Sequence, residues 1–374
     1  MKKFLTRLLI FICPIIIFFS IPLYVLWKSK DNFYVIDKLV VSNKKYLLGY
    51  AYDETQYKYL KWIDITSNSR KTVWTLGSSR VLQFRRQMFD STFYNAGYTI
   101  YSLNDFRPFL KSIPVNKYPK YLVIALDEWM FNTAWDDLTV TSPVDTWQDS
   151  FRIWPQSSTY LSVYKDLFAH KYSFSTIKND GPLYKVGLNA LVNNTGFRTD
   201  GSLFYGGQID KLVKNDKTAR DFKYAGTLGR IKHGNERFQY GNSINPKALV
   251  EVDALLNYCK QHQIQVIAFL PPFAEAVYDK MMATNKYGYL KQIYPALKPI
   301  FNKYHYEVYD FSRVSLVNAD DHETIDGFHG GEGVYQKIMI NMLNQGSVLN
   351  QVSNVKRLQT DLLKKKNNYV VYGY

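Results

Sequence analysis

The stretch Thr72-Val73-Trp74-Thr75-Leu76-Gly77-Ser78-Ser79-Arg80 decides how the rest of the chain is read. It is a short, apolar, β-prone run that stops at a glycine and two serines. A serine placed just past a buried strand, where a helix is about to begin, is exposed and faces helix N-terminal amides. Ser79 is therefore a candidate nucleophile. The same triplet also serves as a polar turn that caps a helix, so it carries weight only in company.

Working outward, apolar strands alternate with amphipathic helices. Strands are expected at Thr72 to Leu76, Phe93 to Asn95, Tyr121 to Leu126, Gln265 to Leu270 and Glu307 to Phe311. Helices are expected at Leu103 to Ser112, Pro246 to His262, Tyr289 to Tyr304 and Gly331 to Leu343. This alternation predicts an α/β fold, a parallel sheet with helices on both faces. Such sheets bind ligands outside the carboxyl ends of their strands, and Ser79, Gly97, Asp127 and Pro271 all fall just after such ends. The pattern is interrupted over 131–245, which contains Trp135, Trp147, Trp154 and a hairpin signal at Asp200-Gly201. We read this insertion as a lid or substrate-binding element.

Leu8 to Trp27 is a 20-residue run without a charge, preceded by Lys2, Lys3 and Arg7. It is long enough to span a bilayer, and Tyr24 and Trp27 fit interfacial positions. A cleaved signal peptide is the competing reading, but no small-residue cleavage site follows the run. The basic flank predicts an N-terminus in the cytoplasm and an extracytoplasmic remainder on a single-pass anchor in the cell membrane. The expected layout is an anchor over 1–30, a connector over 31–69, a catalytic-type domain over 70–345 and a basic tail over 346–374. Within the connector, Tyr34 to Val41 reads as a strand and Glu54 to Trp62 as a helix. The tail reads as a solvated basic helix.

A net charge of +15 favours anionic partners such as headgroups, cell-wall polyanions or nucleic acid, and the expected export disfavours the last. The two cysteines, Cys13 and Cys259, argue against a structural disulfide and exclude a Cys-ligated zinc site. Asp320, Asp321, His322, Glu323, Asp326 and His329 form a dense cluster, but neither the alternating oxygens of a hard-cation loop nor zinc spacing is present. No metal or cofactor is expected. Asp326-Gly327-Phe328-His329 instead supplies a base and its orienting carboxylate, which converge if the segment makes one loose helical turn. The glycines Gly330, Gly331 and Gly333 then let the chain turn into the last helix.

In conjunction these blocks resemble the SGNH/GDSL hydrolase superfamily, which places a Gly-x-Ser nucleophile after strand one and Asp-x-x-His before the final helix. Within it, the anchor, the G-S-S block, Glu128-Trp129 and Pro271-Pro272 look most like the membrane-anchored envelope branch. That branch includes D-alanyl-lipoteichoic acid biosynthesis protein D and the alginate O-acetylation proteins. The resemblance implies a three-layer α/β/α flavodoxin-like fold and a triad of Ser79, His329 and Asp326. It further implies an oxyanion hole from the Ser79 and Gly97 amides. Where common members carry an oxyanion Asn, this chain reads Leu126-Asp127-Glu128-Trp129, which leaves Asn132 or a protonated Glu128 as a further donor. Arg80 is read either as a ligand for an anionic acceptor or carrier or as an ion-pair partner of Asp90 or Asp105. Trp129 is a second substrate-binding candidate.

The expected function is an O-acyltransferase or esterase acting on a cell-envelope polysaccharide or teichoic-acid-like polymer through acyl-Ser79. A multi-pass membrane acyltransferase is the expected partner, with no nucleic acid. The alternative is a non-catalytic envelope glycan-binding or assembly protein, which the acidic pair Asp127 and Glu128 favours.

Overall fold

The computed structural model describes residues 2–31, 36–42, 44–54, 56–139, 157–178 and 183–374. Trp147 and Trp154 lie outside the described residues. In chain order the strands are β1 (Tyr46–Leu48), β2 (Val73–Leu76), β3 (Phe93–Asn95), β4 (Tyr121–Ala125), β5 (Tyr184–Val186), β6 (Thr195–Arg198), β7 (Leu203–Tyr205), β8 (Gln265–Leu270), β9 (Glu307–Asp310), β10 (Thr324–Asp326) and β11 (His329–Gly330).

The main sheet has the order β3-β2-β4-β8-β9, and every neighbouring pair is parallel. Side chains alternate across it, as a sheet buried on both faces requires. Trp74, Leu76, Leu122, Ile124, Val266 and Ala268 pack on one side with the helices Phe106–Lys111, Pro246–Gln261 and Leu290–Tyr304. Val73, Val123, Ala125, Ile267 and Phe269 pack on the other side with the helix Glu332–Asn344. The chain is thus mixed α/β with a five-stranded parallel sheet, its elements lying where the apolar periodicity puts them. The connection order reverses between β2 and β4, and the crevice beyond their carboxyl ends is where such sheets take ligands.

Several expectations change. No full helix follows Ser79. Ser79–Val81 is one 3-10 turn capped by the Ser78 hydroxyl, which accepts the Arg80 amide at 3.1 Å. A single turn has little macrodipole, so little helix-end field reaches Ser79. The segment expected as a strand over Tyr34 to Val41 is helical at Ile36–Val40, where Ile36, Leu39 and Val40 turn one apolar stripe inward. The hairpin at Asp200-Gly201 forms, with Gly201 at φ +78°, but it does not stand alone. Its strand β6 pairs with β1 from the connector, which pairs in turn with β5, giving a second sheet β5-β1-β6-β7.

The basic helix expected in the C-terminal region forms at Val355–Leu363 with Lys356 exposed, and its other face packs into the domain. Leu358, Val370 and Val371 are buried. Glu332, at the start of the last core helix and only 1% exposed, accepts the amides of Val371 at 3.0 Å and Tyr372 at 2.9 Å. The same carboxylate pairs with Arg85, from the segment after Ser79, and with Arg198 of β6 at 2.9 Å. Gly331 allows this closure, because a β-carbon there would meet the Tyr369 backbone at 2.8 Å.

The N-terminal helix Lys2–Ser29 is long and apolar enough to cross a membrane by length and composition.

Glu332→Ala leaves two buried guanidinium groups without their shared carboxylate, and is expected to cost about 3–5 kcal/mol of folding free energy. Denaturant unfolding checks this, and a loss near zero would show that the three segments do not depend on Glu332.

Candidate active site

Ser79 sits half-buried at the carboxyl end of β2, and the helix-like convergence expected of Asp326 and His329 is replaced by a tighter device. Asp326 and His329 face each other across the antiparallel pair β10 and β11, with Gly327-Phe328 as the turn. The Asp326 Oδ1 accepts the amides of Phe328 at 3.1 Å and His329 at 2.9 Å, so the carboxylate itself holds the turn closed. His329 Nδ1 lies 2.9 and 2.8 Å from the two Asp326 oxygens. Its other nitrogen, Nε2, lies 2.8 Å from Ser79 Oγ, across 250 residues of sequence. Burial raises the Asp326 carboxyl, but the His329 ring and the Phe328 amide outweigh it and hold the group below the usual carboxylate range. An ionised Asp326 facing Nδ1 fixes the tautomer with the proton on Nδ1 and leaves Nε2 as an acceptor for the Ser79 hydroxyl.

The insertion braces this hairpin. Asp221 accepts the Gly327 amide at 3.1 Å and the Thr227 hydroxyl at 2.6 Å, and a β-carbon at Gly327 would strike Thr227 at 2.7 Å. The other acidic residues of that region have structural partners. Asp321 accepts the amides of Glu275 and Ala276 at a helix start, and Glu323 pairs with Lys337 and Lys365. Among the described residues no group of three or more His, Cys, Asp and Glu side chains converges for a metal.

Arg80 is not offered to a ligand. It is fully buried and donates from Nε to the Phe328 carbonyl at 3.0 Å, from Nη2 to the Pro271 carbonyl at 2.7 Å and from Nη1 to Glu128 at 2.5 Å. Trp129 and Phe273 cover its guanidinium. Neither sequence-expected acidic partner is used: Asp90 pairs with Arg357, and Asp105 accepts the amides of Tyr101 and Ser102. The acidic pair after β4 now has a physical reason, since it supplies the counter-charge for Arg80. Asp127, 3.9 Å from Arg80, is wholly buried beside it.

The expected oxyanion donors fare differently. The Ser79 amide is the first in its turn, where no intrahelical acceptor exists. The Gly97 amide, by contrast, donates to Asn95 Oδ1 at 3.0 Å. Asn95 clamps the segment after Ser79 by donating to the Val81 and Phe84 carbonyls, and its own carbonyl is left facing Gly97. Gly97 is nonetheless demanded by space, because a β-carbon would meet Val81 at 2.4 Å. Asn132 is committed elsewhere, donating to the Gln239 carbonyl and accepting the Ala134 amide. Glu128 is held by Arg80.

A cavity of about 40 Å³ opens over Ser78 and Ser79, lined also by Tyr98, Ile100, Tyr101, Trp129 and Arg237. Trp129 is therefore at the site, as its position after β4 suggests. Arg237 was not legible beforehand, since it lies in the insertion outside any motif. Its guanidinium lies within 6 Å of the ring centres of Tyr101, Trp129 and Trp135, and donates to the Tyr101 hydroxyl at 3.2 Å. No carboxylate pairs with it among the described residues. A second opening of about 430 Å³ lies against Asp326 and Phe328 and is lined by Lys217, Arg220 and Arg230. The first opening carries one cation, Arg237, and in the second the three cations outnumber Asp221 and Asp326.

No protein-family model matches the chain, and no curated protein matches it.

Burial pushes the Glu128 carboxyl up from 4.5 to about 8 against the pull of Arg80, and raises Asp127 as well. Two buried carboxyls facing one guanidinium therefore titrate as a pair. Between pH 4.5 and 8 the folded pair holds a proton that the unfolded chain has released, so its stabilising contribution falls as pH rises through that window. Melting temperatures of Asp127→Asn and Glu128→Gln, measured from pH 5 to 8.5, should decline less steeply than wild type. A parallel decline would place the proton elsewhere.

Proposed function

We propose that the chain is a membrane-anchored, extracytoplasmic, serine-dependent acyl-transfer enzyme of the cell envelope, with an SGNH-type flavodoxin-like core. The observation that carries this reading is the continuous hydrogen-bonded relay from Ser79 through His329 to Asp326. In the first half-reaction Ser79 Oγ attacks an ester carbonyl while His329 Nε2 takes its proton, and the Ser79 amide donates to the developing oxyanion. His329 returns that proton to the departing alcohol oxygen, leaving acyl-Ser79. An acceptor hydroxyl, or water, then loses its proton to His329 as it attacks the acyl carbon, and Ser79 recovers a proton as it leaves.

The basic lining supports an anionic substrate, with Arg237 holding a negatively charged group beside the reacting ester. Cell-envelope polysaccharides and teichoic-acid-like polymers, or an acyl carrier, fit that demand. The single apolar helix supports the anchor. A multi-pass membrane acyltransferase is the proposed source of the acyl group. A second reading, a non-catalytic glycan-binding protein on the same scaffold, is favoured by one observation: the Gly97 amide faces Asn95, and the Asn132 side-chain amide donates to the Gln239 carbonyl rather than toward Ser79.

Labelling of the full chain in detergent micelles with a fluorophosphonate probe separates the two. Wild type should label and Ser79→Ala should not, and absence of wild-type labelling alongside retained glycan binding would leave the binding reading standing. Asp326→Asn is expected to slow ester turnover by about 10⁴-fold through loss of the productive tautomer.

Arg237→Ala should raise KM for an acetylated anionic glycan while leaving a small neutral acetate ester unchanged. Steady-state kinetics on both esters decide it, and equal losses on both would give Arg237 a general structural role.

A further inference from the structure

The insertion helix Ser157–Phe168 packs against the N-terminal helix rather than against the main sheet. Tyr164 stacks on Phe18 at 5.1 Å between ring centres and donates its hydroxyl to the Phe18 carbonyl at 2.7 Å, while Tyr160 meets Phe19 edge-on at 5.2 Å. The short helix presents three stripes at helical spacing. Tyr160 and Tyr164 face the N-terminal helix. Val163, wholly buried, packs with Val25, Leu26 and Tyr172, and Asp166 of the same stripe reaches Tyr52 and Lys171. Leu161, Lys165 and Phe168 form the third stripe, in which Leu161 is 63% and Phe168 78% exposed. Phe174, also exposed, lies against Tyr24 of the N-terminal helix.

Large exposed apolar side chains on a short amphipathic helix call for a cover. Position along the N-terminal helix identifies it. Phe18 and Phe19 lie eight to nine residues before Trp27, about 12–14 Å along the axis. If Trp27 marks the outer interface, those contacts fall within the outer half of a hydrocarbon core of about 30 Å. Any protein packed there sits among lipid. Pro22, Val25 and Leu26, nearer the Trp27 end, are buried in protein, so the domain meets the membrane at that level.

We propose that Ser157–Phe168 is an interfacial helix embedded in the outer leaflet, with Leu161, Phe168 and Phe174 inserted among acyl chains and Lys165 reaching up to the headgroups. The inference rests on the N-terminal helix spanning the bilayer, and is independent of the proposed chemistry at Ser79. Its consequence is mechanical. The insertion that carries Asp221 and Arg237 is tied to the bilayer by a second contact, which holds the two openings at a set height above the membrane.

The test uses the full chain with Cys13→Ser, reconstituted in phospholipid nanodiscs, with Cys259 left in the core. Nitroxide labels are placed through Leu161→Cys, Phe168→Cys and Phe174→Cys, with Phe11→Cys as the membrane reference and Leu363→Cys as the aqueous reference. Relaxation by dissolved oxygen is compared with relaxation by a water-soluble nickel chelate. The proposal expects the three labels to match Phe11, with high oxygen and low chelate accessibility. Labels that match Leu363 while Phe11 stays lipid-exposed overturn the interfacial helix alone, and so does shielding from both reagents, which would mean a second copy covers the patch. If Phe11 itself matches Leu363, the spanning reading and the inference fall together. In none of these outcomes is fluorophosphonate labelling of Ser79 expected to change.

Discussion

The buried guanidinium of Arg80 is the interaction on which the site depends. Taking an unpaired charge out of water is so costly that such a group needs acceptors and a counter-charge. Each of the three Arg80 nitrogens finds an acceptor on a loop at one edge of the sheet, through the carbonyls of Phe328 and Pro271 and the carboxylate of Glu128. Its sequence neighbour is Ser79, and the neighbour of Phe328 is His329. A single side chain therefore sets the distance between the two ends of a relay whose members lie 250 residues apart. The acidic pair after β4, which on its charge alone looks hostile to an oxyanion, is the counterweight that makes this burial tolerable.

A second constraint works at the periphery in the same way. Glu332 collects Arg85, Arg198 and the last backbone amides of the chain around the start of the final core helix. Arg198 belongs to the smaller sheet, which takes one strand from the connector and three from the insertion. Segments that are neither core nor catalytic by pattern thus converge on the start of the final helix, directly after the hairpin carrying Asp326 and His329. Close approaches at Gly97, Gly327 and Gly331 let these surfaces meet, since a β-carbon at any of them would collide.

Much of the main sheet was legible because it is written locally. Val73 to Leu76, Phe93 to Asn95 and Val266 to Leu270 are short apolar runs, and the helices between them carry a 3.6-residue stripe, so their parallel pairing follows from the alternation, while the strand order comes from the tertiary structure. Ser79, Asp326 and His329 were legible only in conjunction, one block following the first core strand and the other preceding the last core helix, since either block alone reads as an ordinary polar turn. The smaller sheet was not. Tyr46 to Leu48 and Tyr184 to Val186 are three-residue strands too short to show a period. Arg237 left no signal either, because its place beside Ser79 comes from the path of the insertion.

By itself, then, the sequence determined an alternating α/β core, an apolar N-terminal helix and three chemically suited residues at one sheet edge. These depend on propensity and periodicity over a few residues. Only the tertiary structure decided what each polar group faces: that Arg80 is a cross-link rather than a ligand, that the Gly97 amide belongs to Asn95, and that Arg237 overlooks Ser79. The reason is that desolvation and charge pairing depend on neighbours tens to hundreds of residues away, and no local pattern encodes which neighbour arrives.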